Sequence, residues 1–119
     1  MSYIFDVDGQ VVWSPALRVG HLFVTLADTL AGDAGVEPGA TGLEMMASDY
    51  YYVNPPVFAE FVRTLLASSV VTNEVYAELA RGFLVTSLVV LDRSGIAMTS
   101  EREAHRALFD ARDALSSSM

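Results

Sequence analysis

The sequence predicts a mostly helical α+β fold, an N-terminal β-hairpin packed on about four helices, one of them central and buried. Three observations carry this prediction. Asp8-Gly9 sits between two short apolar runs, 3–7 and 10–13, and an Asp-Gly pair flanked in this way is a strong signal for a two-residue hairpin turn. Apolar residues then recur at three- and four-residue spacing through much of the remaining chain. Finally, the stretch 83–91 is apolar on almost every side, as a helix enclosed by other elements must be. At 119 residues a single domain, 1–119, is expected. Such a chain buries about two-thirds of its surface on folding, enough for a core without metals or disulfides.

A two-residue loop opposes Val7 to Gln10, Phe5 to Val12 and Ile4 to Trp13. One hairpin face then carries Tyr3, Phe5, Val7 and Val12, and the other Ile4, Val11 and Trp13. Both faces are apolar, so helices or a second subunit should cover both. Ser14-Pro15 reads as an N-cap followed by proline at the first helical position. The helix it opens, about 15–31, ends at Gly32. Its apolar stripe is Val19, Leu22, Phe23, Leu26 and Leu30, opposite Arg18, His21, Thr25, Asp28 and Thr29. From 32 to 54 the pattern fails, and four glycines and Pro38 mark a long acidic loop. Within it Leu43, Met45 and Met46 suit a short helical turn, and Tyr50-Tyr51-Tyr52-Val53 suits a brief third strand, pairing with the hairpin. Asn54-Pro55-Pro56 starts a helix over about 55–68, with Phe58, Phe61, Val62 and Leu65 at core spacing. Thr72 or Asn73 caps the central helix, 73–93, whose core positions include Tyr76, Leu79, Phe83 and Val90. Ser100-Glu101-Arg102-Glu103 matches a capping box for a last helix, 100–115, with Ala104, Ala107, Leu108, Ala111 and Leu115 inward. Gly20 and Gly82 interrupt helical patterns, and close helix–helix approach is the expected reason.

Charge is unevenly distributed. The chain has 15 acids against 7 bases, all of them Arg, a net charge of −8, and neither Lys nor Cys. Disulfides, thiol nucleophiles, Schiff-base lysines and Walker lysines are therefore excluded. Residues 1–60 hold eight acids and only Arg18. Asp28, Asp33, Glu37, Glu44 and Asp49 follow one another with no intervening base, a pattern that repels nucleic acid and attracts a basic partner. The longest apolar run, 83–91, is less than half the span a bilayer requires. The segment 1–10 lacks the basic and apolar regions of a signal peptide, so a cytoplasmic protein that binds neither membrane nor nucleic acid is expected.

Motifs for chemistry are sparse. His21 and Asp28 are two turns apart on one helix face, about 10 Å along the axis, too far for a hydrogen bond. Glu101, Glu103, His105, Arg106 and Asp110 describe a solvated salt-bridge face. No calcium-loop register, phosphate loop, nucleophile elbow or dinucleotide fingerprint is present, and neither cofactor nor metal is expected.

Tyr3-x-Phe5-x-Val7 followed by Val12-Trp13-Ser14-Pro15-Ala16, the segment Pro56-Val57-Phe58-Ala59-Glu60-Phe61-Val62, and the stretch from Gly82-Phe83 to Arg93-Ser94-Gly95 resemble a family of small actinobacterial proteins of unknown function. The resemblance covers about residues 3–95, with the run Tyr50-Tyr51-Tyr52 departing from it. It implies a bacterial cytoplasmic setting and carries over no catalytic residue.

Two functional readings follow. In the first, the protein is a non-catalytic, homodimeric binding protein. Its segment 33–54 presents Asp33, Glu37, Glu44, Met45, Met46, Asp49 and Tyr51 to a basic protein partner, as a toxin-neutralising protein would. In the second it is a small pocket enzyme of the cyclase or isomerase type acting on an apolar small molecule. His21, Asp49, Tyr50, Tyr51 or Tyr52 would then exchange protons with the substrate.

Overall fold

The structure, a computed structural model, describes residues 2–68 and 72–119. Strands β1 (Ile4–Val7) and β2 (Gln10–Trp13) form the expected hairpin. Asp8 and Gly9 both take positive φ, 51° and 86°, the backbone that a type I′ turn demands and Asp-Gly tolerates. The register differs from the simple alternation. Val7 faces Gln10 and Asp6 faces Val11, but a bulge then brings Trp13, not Val12, opposite Phe5. The bulge turns Trp13 inward, where its ring lies 5.3 Å from Phe5 and edge-on to Phe23 at 5.2 Å. A bulge re-aims side chains in this way at the cost of one ladder position.

Helix α1 (Leu17–Ala34) starts and ends later than the sequence signals suggest. Ser14 caps no helix; its hydroxyl donates to the Tyr3 carbonyl at 3.0 Å. Gly32 stays helical, and the left-handed residue that closes α1 is Gly35 at φ 73°. Beyond a short 3-10 turn (Pro38–Ala40) comes the largest departure from expectation. The segment read as a loop is a second hairpin, β3 (Leu43–Ala47) and β4 (Tyr50–Val53). β4 runs parallel to β1, with Ile4, Phe5 and Asp6 beside Tyr50, Tyr51 and Tyr52. The sheet order is therefore β2-β1-β4-β3.

Helices α2 (Pro55–Ala67) and α3 (Glu74–Arg93) fall where the sequence places them. Asn73 caps α3 by accepting the Tyr76 backbone N–H at 2.9 Å. Most of 83–91 is buried as expected, but Leu79, read as core, is 80% exposed. The last helix is broken at His105 into α4 (Thr99–Ala104) and α5 (Arg106–Ser116). Met98, not Ser100, precedes it, and no side-chain cap forms. Of its residues only Phe109 is buried, at 1% exposure, with the Arg112 guanidinium 5.1 Å from the ring; Ala104 and Ala107 face solvent. Glu101 pairs with Arg63 of α2 at 2.8 Å, tying α4 to that helix.

The core is a layer of aromatic rings between sheet and helices. Phe5, stacked beside Tyr51 of the adjacent strand, meets Phe23 of α1 edge-on, and Phe23 stacks on Phe83 of α3 at 5.0 Å. Only this inner face of the sheet is covered. Along β4, Tyr51 and Val53 are buried while Tyr50 and Tyr52 are half-exposed, and on the outer face of the neighbouring strands Val11, Glu44 and Ala47 are exposed. Helices thus cover one face of the hairpin, and the other is open in the protomer.

Candidate functional site

The open face of the sheet gathers most of the chemistry that the N-terminal half carries. Strand alternation sends Tyr50 and Tyr52 outward and Tyr51 inward. Parallel pairing with β1 then sets Asp6 beside the tyrosines, and antiparallel pairing with β3 sets Glu44 opposite Tyr52. The Tyr50 hydroxyl donates to Asp6 Oδ2 at 2.7 Å, and that oxygen also accepts the Gly9 N–H at 3.1 Å. Asp6 is buried, and these two donors bind its carboxylate. The Tyr52 hydroxyl points at Asp8 Oδ1, 3.4 Å away.

These neighbours keep the phenols protonated. Tyr50 titrates above its ordinary value because its proton is bonded to Asp6, with burial and the Asp6 charge adding to this. Tyr52 is raised first by burial, then by the negative charges of Asp8, Glu44 and Asp6. Tyr51 is raised by burial first; its ring stacks between Tyr3 and Phe5, 6.0 and 5.8 Å away. A general base near neutrality needs a pKa near 7, and all three tyrosines move the other way.

The predicted contact residues do not form a single patch. Glu44, Met45 and Met46 lie on β3, a sheet edge, with the two methionines 65% and 66% exposed. Asp49 lies at the opposite end of the strands, in the β3–β4 turn. Asp33 is at the end of α1, where it accepts the Tyr76 hydroxyl of α3; this bond, with burial, pushes Tyr76 up to about 12. Glu37 is exposed before the 3-10 turn. Tyr51 is only 8% exposed, so it supports the surface from beneath, and Tyr50 and Tyr52 form it. Sequence reasoning missed the part that Asp6, buried against Tyr50, and Asp8, exposed, play in this face. The Asp8-Gly9 turn was a signal for the second; nothing local announced that Asp6 would meet a tyrosine 44 positions later.

Of the residues proposed for acid–base work, His21 and Asp49 do come together, lining a shallow depression with Arg18 and Ser48. A larger concavity lies elsewhere. A groove of about 550 Å³ runs between α1 and α3, lined by Trp13, Val19, Leu22, Leu79, Gly82 and Phe83, among others. No carboxylate, imidazole or guanidinium side chain lines it. An apolar substrate would fit in the groove, and the groups able to move protons lie outside it. Among the described residues no three His, Asp or Glu side chains are grouped to hold a metal ion, and no helix is long and apolar enough to cross a membrane.

Fold and surface together define an α+β protein whose four-stranded sheet is backed by helices on one side and displays an acidic, tyrosine-bearing face on the other. The chain belongs to the family described as family of unknown function (DUF6086), whose model matches residues 1–119. No curated protein and no solved structure matches it.

Proposed function

We propose that this protein is a non-catalytic binding protein that takes a basic protein partner on the open face and β3 edge of its sheet. The observation that carries the reading is the set of half-exposed phenols, Tyr50 and Tyr52, ringed by Asp6, Asp8 and Glu44, in a half of the chain whose only base is Arg18. Aromatic residues and methionine are what interfaces enrich, and a rim of one charge steers a partner of the other. Tyr and Met supply the contact area, while the carboxylates select Arg- or Lys-bearing surfaces. Toxin neutralisation in a bacterial cytoplasm is one role this chemistry serves. The separation of groove from titratable groups, and the upward shift of all three tyrosines, favour binding over acid–base catalysis.

The test compares two charge-neutralised proteins in affinity capture from a bacterial lysate. One carries Asp8→Asn, Glu44→Gln and Asp49→Asn on the sheet; the other carries Asp92→Asn, Glu103→Gln and Asp110→Asn on the helices. The reading expects a basic partner that the wild type and the helix variant retain, that the sheet variant loses, and that is released by salt. Equal loss in both variants would mean that bulk charge alone was responsible and would refute the reading.

A further inference from the structure

The groove between α1 and α3 is unexplained by the sheet-face reading. Its rims are formed by two rows at three- and four-residue spacing, Val19, Leu22 and Leu26 on α1 and Leu79, Gly82 and Thr86 on α3, the second continued beyond the groove by Val75, one turn before Leu79. In a solitary protomer Val19 is 50% exposed, Leu22 58%, Val75 71% and Leu79 80%. This is the spacing with which helices pack on other helices, yet both rows face solvent. We infer that the groove is where two copies of this chain pair about a two-fold axis, Leu79 of each entering the space over Gly82 of the other.

Three features choose a second copy as the occupant. The first is Gly82. Glycine weakens a helix interior, and at Gly20 the structure shows why one is kept, since a Cβ there would collide with Tyr3. Among the described residues a Cβ at Gly82 would meet nothing within 4 Å, so none of them accounts for the glycine, whereas the side chain of an approaching helix would. The second is self-complementarity. A two-fold interface needs knob and hole on the same surface, and Leu79 projects about one helical turn from the hollow at Gly82. The third is charge. Two protomers of net charge −8 repel each other over most of their surface, and the groove, with no charged side chain, lies on the helical side of the sheet, away from the acids of its open face.

The size of the surface sets the strength. The row on α1, Val19 to Leu26, spans about 10 Å and that on α3, Val75 to Thr86, about 17 Å, a patch smaller than the ~800 Å² per partner of a standard interface. The dimer is therefore weak and depends on concentration.

Sedimentation velocity from about 5 to about 500 µM tests this, a window bracketing the affinities such an interface supports. The wild type should pass from monomer to dimer with rising concentration, and Leu79→Arg and Leu22→Arg should each stay monomeric with an unchanged circular dichroism spectrum. Because the chain has no cysteine, a mixture of Leu79→Cys and Gly82→Cys proteins should form a disulfide between unlike chains on oxidation. A wild type that is monomeric throughout, a dimer that survives both arginine variants, or a monomer that carries an apolar small molecule in native mass spectrometry would overturn the inference.

Discussion

Two glycines in comparable helical positions are expected to respond to alanine in opposite directions. A methyl group at Gly20 would sit less than 3 Å from Cβ, Cγ and Cδ2 of Tyr3. Tyr3 has little freedom to withdraw. Its N–H donates to the Pro15 carbonyl at 2.9 Å, its own carbonyl accepts the Ser14 hydroxyl, and its ring stacks on Phe5 and Tyr51. Because Cβ itself is among the colliding atoms, a change of rotamer does not relieve the clash; the backbone at Tyr3 must move away from α1. Overpacking of this kind costs up to about 3 kcal/mol, against a gain of about 1 kcal/mol from replacing a helical glycine. Gly20→Ala should therefore destabilise by about 2 kcal/mol. For a chain of this length that lowers Tm by about 8 °C. Gly82→Ala meets no atom and keeps only the gain, so in dilute solution, where copies are unpaired, it should raise Tm by about 4 °C. Differential scanning calorimetry of the two variants beside the wild type decides the matter. A Gly20→Ala protein melting at or above the wild type would refute the close-packing argument.

The hydroxyl of Ser87 is fully buried in α3 without a hydrogen-bond partner among the described residues; Ser87→Ala should stabilise by about 1 kcal/mol, read from the urea midpoint, and a loss instead would reveal a partner. The Tyr76 phenol, held to about 12 by Asp33, keeps its proton in the folded state over a range where the unfolded chain loses it. Its contribution is thus complete below pH 10 and declines as pH rises towards 12. Tyr76→Phe should flatten that alkaline decline in an unfolding series, and an unchanged slope would contradict the assignment. Phe109 is the one fully buried anchor of α5, so Phe109→Ala should cost about 3–5 kcal/mol, a large part of a typical domain's stability. Chemical denaturation would show this, and a cost below about 1 kcal/mol would mean that α5 is not anchored there.

How much was legible in the sequence depended on whether the governing interaction was local. The Asp8-Gly9 turn, the Asn73 cap and the enclosed stretch 83–91 rest on backbone geometry and composition, and they stand as read. The β3 strand was hidden because Leu43-Glu44-Met45-Met46-Ala47 consists largely of good helix formers. Pairing with the tyrosine strand overrides that preference, and Ser48-Asp49 turns the chain without a glycine to announce it. The bulge at Val12 depends on Trp13 finding Phe5 and Phe23, a tertiary event. Periodicity also marked Val19, Leu22 and Leu79 as inward, since an apolar stripe reveals that it wants cover but not whether the same chain supplies it. The candidate site followed the same rule. Face alternation separated Tyr50 and Tyr52 from Tyr51 but did not say which side was open, and Tyr51, the one singled out for partner contact, is the one buried; the alliance of Tyr50 and Tyr52 with Asp6 and Asp8 arises from a parallel strand pairing across more than 40 residues.

Isotope-labelled protein titrated with its captured basic partner tests the central claim most directly, through amide chemical-shift changes. Binding on the open face predicts the largest changes along β1, β3 and β4, around Asp6, Asp8, Glu44, Tyr50 and Tyr52, with weakening as salt is raised. Changes concentrated instead on α1 and α3 around Leu22, Leu79 and Gly82, with the sheet unperturbed, would contradict it.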